Sequence, residues 1–402
     1  MPSQPAFLNV TNPEGRPARV GVTFYDATGA VTGASFTVGA TTHRTVPIAA
    51  LTRRRGSFGL VVSSDRTVAA GLTLTRPGRD DDVLAGAAAP RRQWYLAEGY
   101  TGLTFHETVS ILNPGTQGTR VTLRLLPNGG RTRTITAPVG AHRQVTVDIN
   151  RLLPGRAVSV VVTSGRRVVV ERTLTFGRGG YGTTARIGAT GAATAWLFAE
   201  GATINRFEAY LTVLNPTART AHVTARFYGR NGVLLGARGL VVGAGRRDTL
   251  RLNDFLAGQE GVASIVTSNQ PVVVERPEYF GSPNAAGIPG SDVFGLNGTS
   301  PRWSFAGGDT SGKSEFLLLF NPGTQSMPVR VTVYDSDGRA HRVTVTLTPR
   351  DRYTLDVRRI FHGLTAARGE TVESTDGRGF VAEQTVFAPD HTTLRSTEGL
   401  PQ

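Results

Sequence analysis

The 402-residue chain contains no cysteine, which excludes disulfide bonds, thiolate nucleophiles, cysteine-ligated zinc and iron–sulfur clusters. No apolar run approaches the ~20 residues that a membrane-spanning helix needs. The first residues, Met1 to Pro5, lack the basic and apolar regions of a signal peptide, so the sequence itself leaves the compartment open. No segment shows a sustained hydrophobic period of a helix, and long helices are therefore not expected.

Lysine is almost absent: Lys313 is the single lysine among 44 basic residues, and 43 are arginine. Such a bias is typical of a GC-rich genome and fits a thermophilic source. The formal net charge of +14 is concentrated in residues 91–192, which carry 14 basic and 4 acidic residues. Nucleic-acid binding is not favoured by this charge, because the basic residues are not interleaved with aromatic ones and no recognition motif is present.

A four-part repeat runs through the chain. The three tryptophans open similar phrases, Trp94-Tyr-Leu-Ala-Glu-Gly99, Trp196-Leu-Phe-Ala-Glu-Gly201 and Trp303-Ser-Phe-Ala-Gly-Gly308. An apolar run closed by Asn-Pro follows each phrase, and an extra Asn-Pro lies near the N-terminus; the four asparagines are Asn12, Asn113, Asn215 and Asn321. Tandem duplication at a period near 100 predicts four domains, residues 1–90, 91–192, 193–299 and 300–402. The first of them lacks the opening Trp strand.

Within each repeat the pattern indicates β-strands. Segments such as Val121–Leu125 and His341–Leu347 alternate apolar and polar residues. Asn128-Gly129, Asn231-Gly232 and Asp337-Gly338 are typical of tight hairpin turns. About seven short strands per ~100 residues predict an immunoglobulin-like antiparallel β-sandwich. The sequence therefore predicts an all-β protein of four tandem sandwiches, which we expected to form an elongated rod.

The Trp-x-Phe/Leu-Ala-Glu-Gly phrase, the Asn-Pro strand end and the Val-Val-Val-Glu-Arg segments followed by Phe176 or Tyr279-Phe280 resemble a repeat of secreted proteins from Chloroflexota and Actinobacteriota. The resemblance covers nearly the whole chain. It implies a β-rich fold that often accompanies cell-surface or secreted enzymes, and it brings no catalytic residues. Two positions depart from the pattern: Gly71 stands where the later repeats have glutamate, and Gly307 stands where Glu98 and Glu200 lie in their phrases.

Several motifs that could carry chemistry lack the context that the chemistry requires. Gly307 to Ser314 matches the P-loop pattern, but a strand-like segment follows it instead of the helix that phosphate binding needs. Asp80-Asp81-Asp82 and the segment from Asp335 to Gly338 could offer oxygen ligands to calcium; we interpret them as a solvated loop and a hairpin turn. We therefore predict no catalytic residues, no metal and no cofactor.

The recurring glutamates and tryptophans are interpreted as structural residues. Paired carboxylates could hydrolyse glycosides, but duplicated active sites in every repeat are improbable. We expect these carboxylates to pair with backbone N–H groups or a neighbouring arginine. The tryptophans could stack on sugars, but one per sandwich is more typical of a buried core residue. The structural repeat residues are Trp94, Trp196, Trp303, Glu171, Glu275 and Glu383.

The leading functional hypothesis is a non-enzymatic extracellular or cell-surface protein of structural or adhesive type: a stalk, spacer or filament subunit. The alternative is an array of polysaccharide-binding modules attached to or accompanying secreted enzymes. A surface for an acidic ligand is predicted from the basic second repeat, at Arg120, Arg124, Arg131, Arg133, Arg166 and Arg167. Expected partners are cell-surface polysaccharide or further copies of the chain, joined head to tail if the C-terminal segment Leu394–Gly399 completes the first repeat of a neighbour. A missing strand encoded upstream is the alternative explanation of that incomplete repeat.

Overall fold

The computed structural model describes residues 5–29, 31–53, 56–75, 79–280, 288–309, 312–364, 367–388 and 392–402. It is nearly all β, with 62% of residues in strands and 4% in helices, as the alternating pattern predicts. All of the described strand pairs are antiparallel, and each joins strands of the same repeat. The division into four domains with the boundaries given above stays a prediction.

In the part of the chain that the structure describes, the first and second repeats each contain seven strands. The first comprises β1 Ala6–Asn12, β2 Ala18–Asp26, β3 Val31–Val38, β4 Thr42–Pro47, β5 Phe58–Ser64, β6 Ala69–Leu74 and β7 Asp82–Ala85, with helix α1 Ile48–Leu51. The second comprises β8 Arg91–Leu96, β9 His106–Asn113, β10 Thr119–Pro127, β11 Arg133–Val139, β12 Arg143–Asp148, β13 Val158–Phe176 and β14 Gly182–Ile187.

The third and fourth repeats follow the same order. The third comprises β15 Ala193–Phe198, β16 Phe207–Asn215, β17 Ala221–Tyr228, β18 Leu234–Val242, β19 Arg246–Arg251, β20 Ala263–Phe280 and β21 Gly290–Phe294, with 3₁₀ helices at Arg230–Gly232 and Leu252–Asp254. The fourth comprises β22 Arg302–Asp309, β23 Ser314–Phe320, β24 Met327–Asp335, β25 Ala340–Leu347, β26 Arg352–Asp356, β27 Ala367–Ser374, β28 Val381–Phe387, β29 Leu394–Glu398 and β30 Leu400–Pro401, with helix α2 Val357–Ile360. No helix in the described residues is long and apolar enough to cross a membrane.

Each repeat is built from two layers of sheet. In the second repeat the long strand β13 belongs to both, pairing with β10 and β8 along its first half and with β9 and β14 along its second. Strand β20 does the same in the third repeat. In the first and fourth repeats this strand is divided in two, as β5 with β6 and β27 with β28. In the described residues the first repeat has a three-stranded sheet, β3-β2-β5, without a counterpart of the Trp strand β8.

The recurring Asn-Pro has a definite structural role. The buried Asn12 side-chain amide donates to the carbonyl oxygens of Arg16 (2.8 Å) and Gly39 (2.7 Å), and its Oδ1 accepts from the backbone of Glu14 (3.1 Å). The equivalent contacts recur in the other repeats, at Asn113, Asn215 and Asn321. Each asparagine therefore satisfies backbone groups of two neighbouring turns that would otherwise be buried without partners.

The four repeats close into a ring, so the expected elongated rod is wrong. Repeats 1 and 2 meet where Gln144 Nε2 donates to Ser57 Oγ (2.8 Å), and repeats 4 and 1 meet where Lys313 Nζ binds Asp81 (2.6 Å). At the centre, β14 contacts β7 and β21, and β29 contacts β21 and β7. The rod followed from assuming that each repeat touches its chain neighbours alone, and a contact between the first and last repeats leaves no periodic signal in the sequence.

Candidate functional site: buried charges between the repeats

The recurring glutamates hold the main chain of the preceding repeat. Glu275 on β20 accepts hydrogen bonds from the backbone N–H groups of Ala97 and Glu98 (3.0 Å for Glu98), which end the Trp phrase of repeat 2. Glu383 on β28 accepts from Ala199 in the same way (2.7 Å) at the junction of repeats 3 and 4. These contacts match the interpretation of the glutamates as carboxylates that bind backbone N–H groups.

The glutamates of the Trp phrases, Glu98 and Glu200, bind the following repeat across the same junctions. Glu98 accepts from Thr212 (2.6 Å) and pairs with Arg247 (3.2 Å), both in repeat 3. Glu200 pairs with Arg352 of repeat 4. Each junction is therefore held by two carboxylates, one from each side, with an arginine facing the phrase glutamate.

A second set of charged side chains at these junctions is completely buried. Arg172, completely buried, forms an ion pair with Glu275 (2.8 Å) and with Asp292, and also donates to the carbonyl oxygen of Glu98. Its counterpart Arg276, also completely buried, lies 3.1 Å from Glu383. Buried ion pairs of this kind fix geometry more than they add net stability, because desolvation offsets much of the Coulomb attraction.

Burial dominates the acid–base properties of these groups. It raises the pKa of Glu275 well above its ordinary value, and the nearby Arg172 opposes that shift. Burial likewise raises the pKa of Glu383 to about 7, against the opposing effect of Arg276. For Glu107, a fully buried residue of β9, burial raises the pKa to about 8 although Arg172 lowers it. Such perturbed carboxyls resemble those of active sites, but ion-pair networks also perturb pKa values.

Asp80, Asp81 and Asp82 join all four repeats, so the interpretation of this segment as a solvated loop is wrong. Asp80 is fully buried, and its carboxylate accepts from the backbone N–H groups of Gly290 in repeat 3 and Leu394 in repeat 4, both at 2.9 Å. Burial raises its pKa well above the ordinary value. The run of three aspartates gave no sequence signal of burial, because its partners lie more than 100 residues away.

The other two aspartates, Asp81 and Asp82, bind side-chain cations. Asp82 pairs with Arg186 of repeat 2 (2.9 Å), and Asp81 pairs with Arg395 (3.0 Å) and Lys313 (2.6 Å) of repeat 4. Arg186 also donates to the Ser396 carbonyl oxygen (2.6 Å). One segment of the first repeat thus closes the ring by neutralising cations that two other repeats bring to the centre.

The two departures from the repeat pattern meet at the junction of repeats 4 and 1. A Cβ on Gly71 would lie 3.9 Å from the Cβ of Ala306, and a Cβ on Gly307 would lie 2.7 Å from Val83 Cγ2. The glutamate pair of the other junctions is therefore replaced here by a close approach of small residues. The sequence contained this signal, since both departures remove a glutamate, but it did not show that the two positions lie at the same junction.

The three tryptophans occupy equivalent, buried positions. Their exposed fractions are 1% for Trp94, 3% for Trp196 and 2% for Trp303. Each indole Nε1 donates to a backbone carbonyl oxygen of its own repeat, at Val168 (2.9 Å), Val272 (2.7 Å) and Phe380 (3.0 Å). Their indole rings are thus buried in the protein, which leaves no aromatic surface on them for stacking on sugars.

Arginines of the predicted acidic-ligand surface lie on the outside of repeat 2. Arg120 is exposed and Arg124 is half-buried, on positions of β10 that alternate with the buried Val121, Leu123 and Leu125. Arg131 and Arg133 are exposed at the hairpin between β10 and β11, and Arg166 and Arg167 are exposed in the middle of β13. Among the described residues no carboxylate forms a salt bridge with any of the six, and Arg133 instead donates to the carbonyl oxygen of Leu152.

The structure also shows where the remaining sequence motifs lie. The P-loop match runs from Gly307 in the last part of β22 to Ser314 at the start of β23, so it joins two strands. Its Thr310 and Ser311 fall outside the described residues. Gly338 adopts a positive φ of 90° in the predicted hairpin turn. Within the described ranges no group of three or more His, Asp or Glu residues could hold a metal ion.

Sequence reasoning missed the arginines and aspartates that complete the junctions: Arg186, Arg247, Asp292, Arg352 and Arg395. Arg247 and Arg352 occupy the same position of their repeats, as register partners of Leu214 and Phe320. A comparison of charges at equivalent positions of the repeats could have found that pair. The other three have no charged equivalent of the same sign in every repeat, so periodicity could not reveal them.

The geometry defines an all-β repeat protein of sandwich type whose recurrent charges join one repeat to the next. Residues 2–199 and 190–274 match the model of a family of unknown function, DUF5719, and the chain belongs to this family. No curated protein matches the chain.

Solved structures with some similarity include Thermotoga maritima 1070 (17% identity, 25% of this chain, 94% of that one, TM-score 0.24). Others are the Anabaena sensory rhodopsin transducer (29% identity, 21% of this chain, 92% of that one, TM-score 0.19) and a tetra-tandem repeat in the extending region of a large adhesion protein (15% identity, 99% of this chain, 96% of that one, TM-score 0.13). These TM-scores are too low to support an argument about function.

Proposed function

We propose that the chain is a non-enzymatic structural or adhesive module that acts outside the cell or at its surface. The observation that carries this proposal is the use of the recurrent carboxylates: Glu98, Glu200, Glu275 and Glu383 each bind the neighbouring repeat. These groups were the best candidates for paired catalytic acids. Their partners are the protein's own backbone and arginines, an arrangement suited to holding a rigid shape.

The ring changes what kind of structural module this is. A rod separates its two ends, whereas a ring of four repeats presents the outer faces of several sheets from one compact body. We therefore favour a platform or adhesive head over a stalk or spacer. The extracellular location rests on the resemblance of the repeats to those of secreted proteins.

A second candidate function, binding of an acidic polysaccharide, is favoured by the exposed arginines of repeat 2. Arg120 and Arg124 lie on one face of β10, with no described carboxylate to neutralise them. Guanidinium groups bind carboxylates and sulfates through paired N–H donors, so a polyanion could contact several arginines at once. Attraction of this kind weakens as salt screens the charges.

The two candidates are tested together with immobilised chain and a panel of neutral and acidic polysaccharides, measuring retention and release of reducing sugar. A purely structural module retains none of them. A polysaccharide-binding module retains acidic members at low salt and loses them in 0.5 M salt (~4 Å screening length). The variant with Arg120→Ser and Arg124→Ser should lose that retention, whereas Arg358→Ser on α2, in the fourth repeat, should keep it. Turnover of any polysaccharide would overturn the non-enzymatic proposal.

A further inference from the structure

A large groove lies between the first repeat and the face of the second repeat that is turned toward it. Its volume is about 1920 Å³. Strand β5 of repeat 1 forms one wall, and side chains of β9, β12 and β13 of repeat 2 form the other, including Ser110, Gln144 and Glu171. No function described above uses this groove.

The groove lies where the other repeats place their Trp strand. In repeat 2, β8 pairs with β13 so that Leu96 is opposite Val160 and Trp94 is opposite Val162. Strands β15 and β22 pair with β20 and β27 in the same way. In repeat 1 the matching strand is β5, and the described strands pair with it along one edge alone, through β2.

The side chains of β5 are less buried than those of its counterpart β13. Val160 and Val162 of β13 are fully buried beneath β8. Their counterparts on β5, Leu60 and Val62, are half-buried and line the groove. An apolar strand that the described residues leave unpaired along one backbone edge is a surface to which an added strand can pair.

The groove is also lined by the residue that corresponds to the indole acceptor of repeat 2. Trp94 Nε1 donates to the carbonyl oxygen of Val168, the third residue before Glu171 in the sequence. The counterpart of Val168 in the first repeat is Val68, three residues before Gly71. Val68 lines the groove, so its position relative to β5 reproduces the position that receives the indole in repeat 2.

The carboxylate of Glu171 lies where the residues after such a Trp strand would end. Glu275 and Glu383 accept backbone N–H groups from the residues that follow the Trp strand of the preceding repeat. Glu171 is their counterpart in repeat 2, and it faces the groove, where it accepts a hydrogen bond from Thr173 (3.2 Å). Burial raises its pKa to about 7.

The residues around Glu171 correspond to those that bind the glutamate of the Trp phrase at the next junction. Thr212 and Arg247 bind Glu98 at the next junction. Their counterparts, by register with β13 and β12, are Ser110 and Gln144. Both can donate a hydrogen bond to a carboxylate.

We propose that this groove is a docking site for an extended polypeptide segment with a sequence of the type Trp-x-(Leu or Phe)-Ala-Glu-Gly, which adds antiparallel to β5. Main-chain pairing supplies affinity and the indole and glutamate positions supply specificity, as in other cases of strand addition. A second copy of the described chain is a poor donor. Its three Trp strands pair within their own repeats, and its Leu394–Glu398 segment pairs with β28 at the centre of the ring. That pairing also removes the donor strand on which head-to-tail filament formation depended.

The probe is a fluorescent peptide with the sequence of residues 91–100, Arg-Arg-Gln-Trp-Tyr-Leu-Ala-Glu-Gly-Tyr, titrated against the full chain by anisotropy. Saturable binding is expected. The peptide with alanine in place of tryptophan should bind at least about tenfold more weakly, the loss typical of a truncated aromatic anchor. Glu171→Gln should weaken binding by about tenfold, because the amide is a poorer acceptor than a carboxylate. Glu260→Gln, an exposed control, should not.

Hydrogen exchange on the unmodified chain avoids dependence on any variant. The peptide should protect the backbone amides of residues 58–64 and leave those of the already paired strand β13 unchanged. Absence of saturable binding, equal binding of the two peptides, or protection elsewhere would overturn the proposal. Concentration-dependent dimerisation of the chain that the peptide reverses would also overturn it, since the groove would then belong to a second copy.

Discussion

Arg172 of the second repeat and Glu275 of the third form an ion pair of 2.8 Å in which both side chains are completely buried. Glu275 holds the backbone of residues 97 and 98 at the same time, so one carboxylate fixes both the side-chain and main-chain position of the preceding repeat. Well-packed apolar residues could supply equal stability. The charged arrangement adds a defined orientation between the repeats.

Replacing Arg172 by methionine should destabilise the protein by about 3–5 kcal/mol, because Glu275 and Asp292 would remain buried without their cation. Arg167→Met is the matched control, since Arg167 is an exposed residue of the same strand. The midpoint of urea unfolding measures both. Equal midpoints for the two variants would show that the buried pair does not hold the junction.

Trp196→Ala should cost about 3–5 kcal/mol, the range for removing a buried aromatic side chain. Trp196→Phe keeps much of the apolar area and loses the hydrogen bond to the Val272 carbonyl oxygen, for a smaller cost of about 1–3 kcal/mol. Thermal unfolding followed by circular dichroism gives the order of the two variants. A tolerated alanine would contradict burial of the indole.

The raised pKa of Glu107, about 8 in the folded protein, predicts a pH dependence. Between the ordinary glutamate pKa and about 8 the folded state binds more protons than the unfolded state, so the free energy of unfolding falls as pH rises through this window. Glu107→Gln, which stays neutral, should be more stable than the unmodified chain above pH 8 and should reduce the slope. Glu260→Gln is the exposed control. A slope unchanged by Glu107→Gln would contradict this assignment.

At the junction of repeats 4 and 1, Gly307→Ala should destabilise by about 1–3 kcal/mol, the usual cost of overpacking. The new Cβ would lie 2.7 Å from Val83 Cγ2, inside the ring. Gly298→Ala, where nothing lies within 4 Å, should change stability by less than about 0.5 kcal/mol. Denaturant unfolding of the pair tests the contact, and equal stability would place Gly307 away from the first repeat.

Local patterns predicted the all-β fold because alternation, turn residues and Asn-Pro act within a few residues. The buried asparagine amides and the left-handed Asn231 and Gly232 are examples, since each satisfies a local backbone requirement. Glu275 and Glu383 accept backbone N–H groups, the kind of partner that their recurrence in the repeats led us to expect.

The ring and its centre could not be predicted in this way. Asp82 and Arg186 are 104 residues apart, and Asp80 binds Leu394 at a separation of 314 residues. A sequence repeat shows that each repeat contains the same strands. The angle between neighbouring repeats, however, depends on side chains that differ from junction to junction. The paired departures at Gly71 and Gly307 were the available clue, and their meaning depends on knowing that the ring closes there.

Ring closure is tested most directly by an engineered disulfide. Because the chain has no cysteine, Gly71→Cys with Ala306→Cys introduces a single pair, at a Cβ–Cβ distance of 3.9 Å that matches disulfide geometry. Each single variant is the control. After oxidation at high dilution, we predict an intramolecular bond, seen as a monomer with faster migration on non-reducing gels and no free thiol. Free thiols, or bonds that form between chains alone, would contradict the ring.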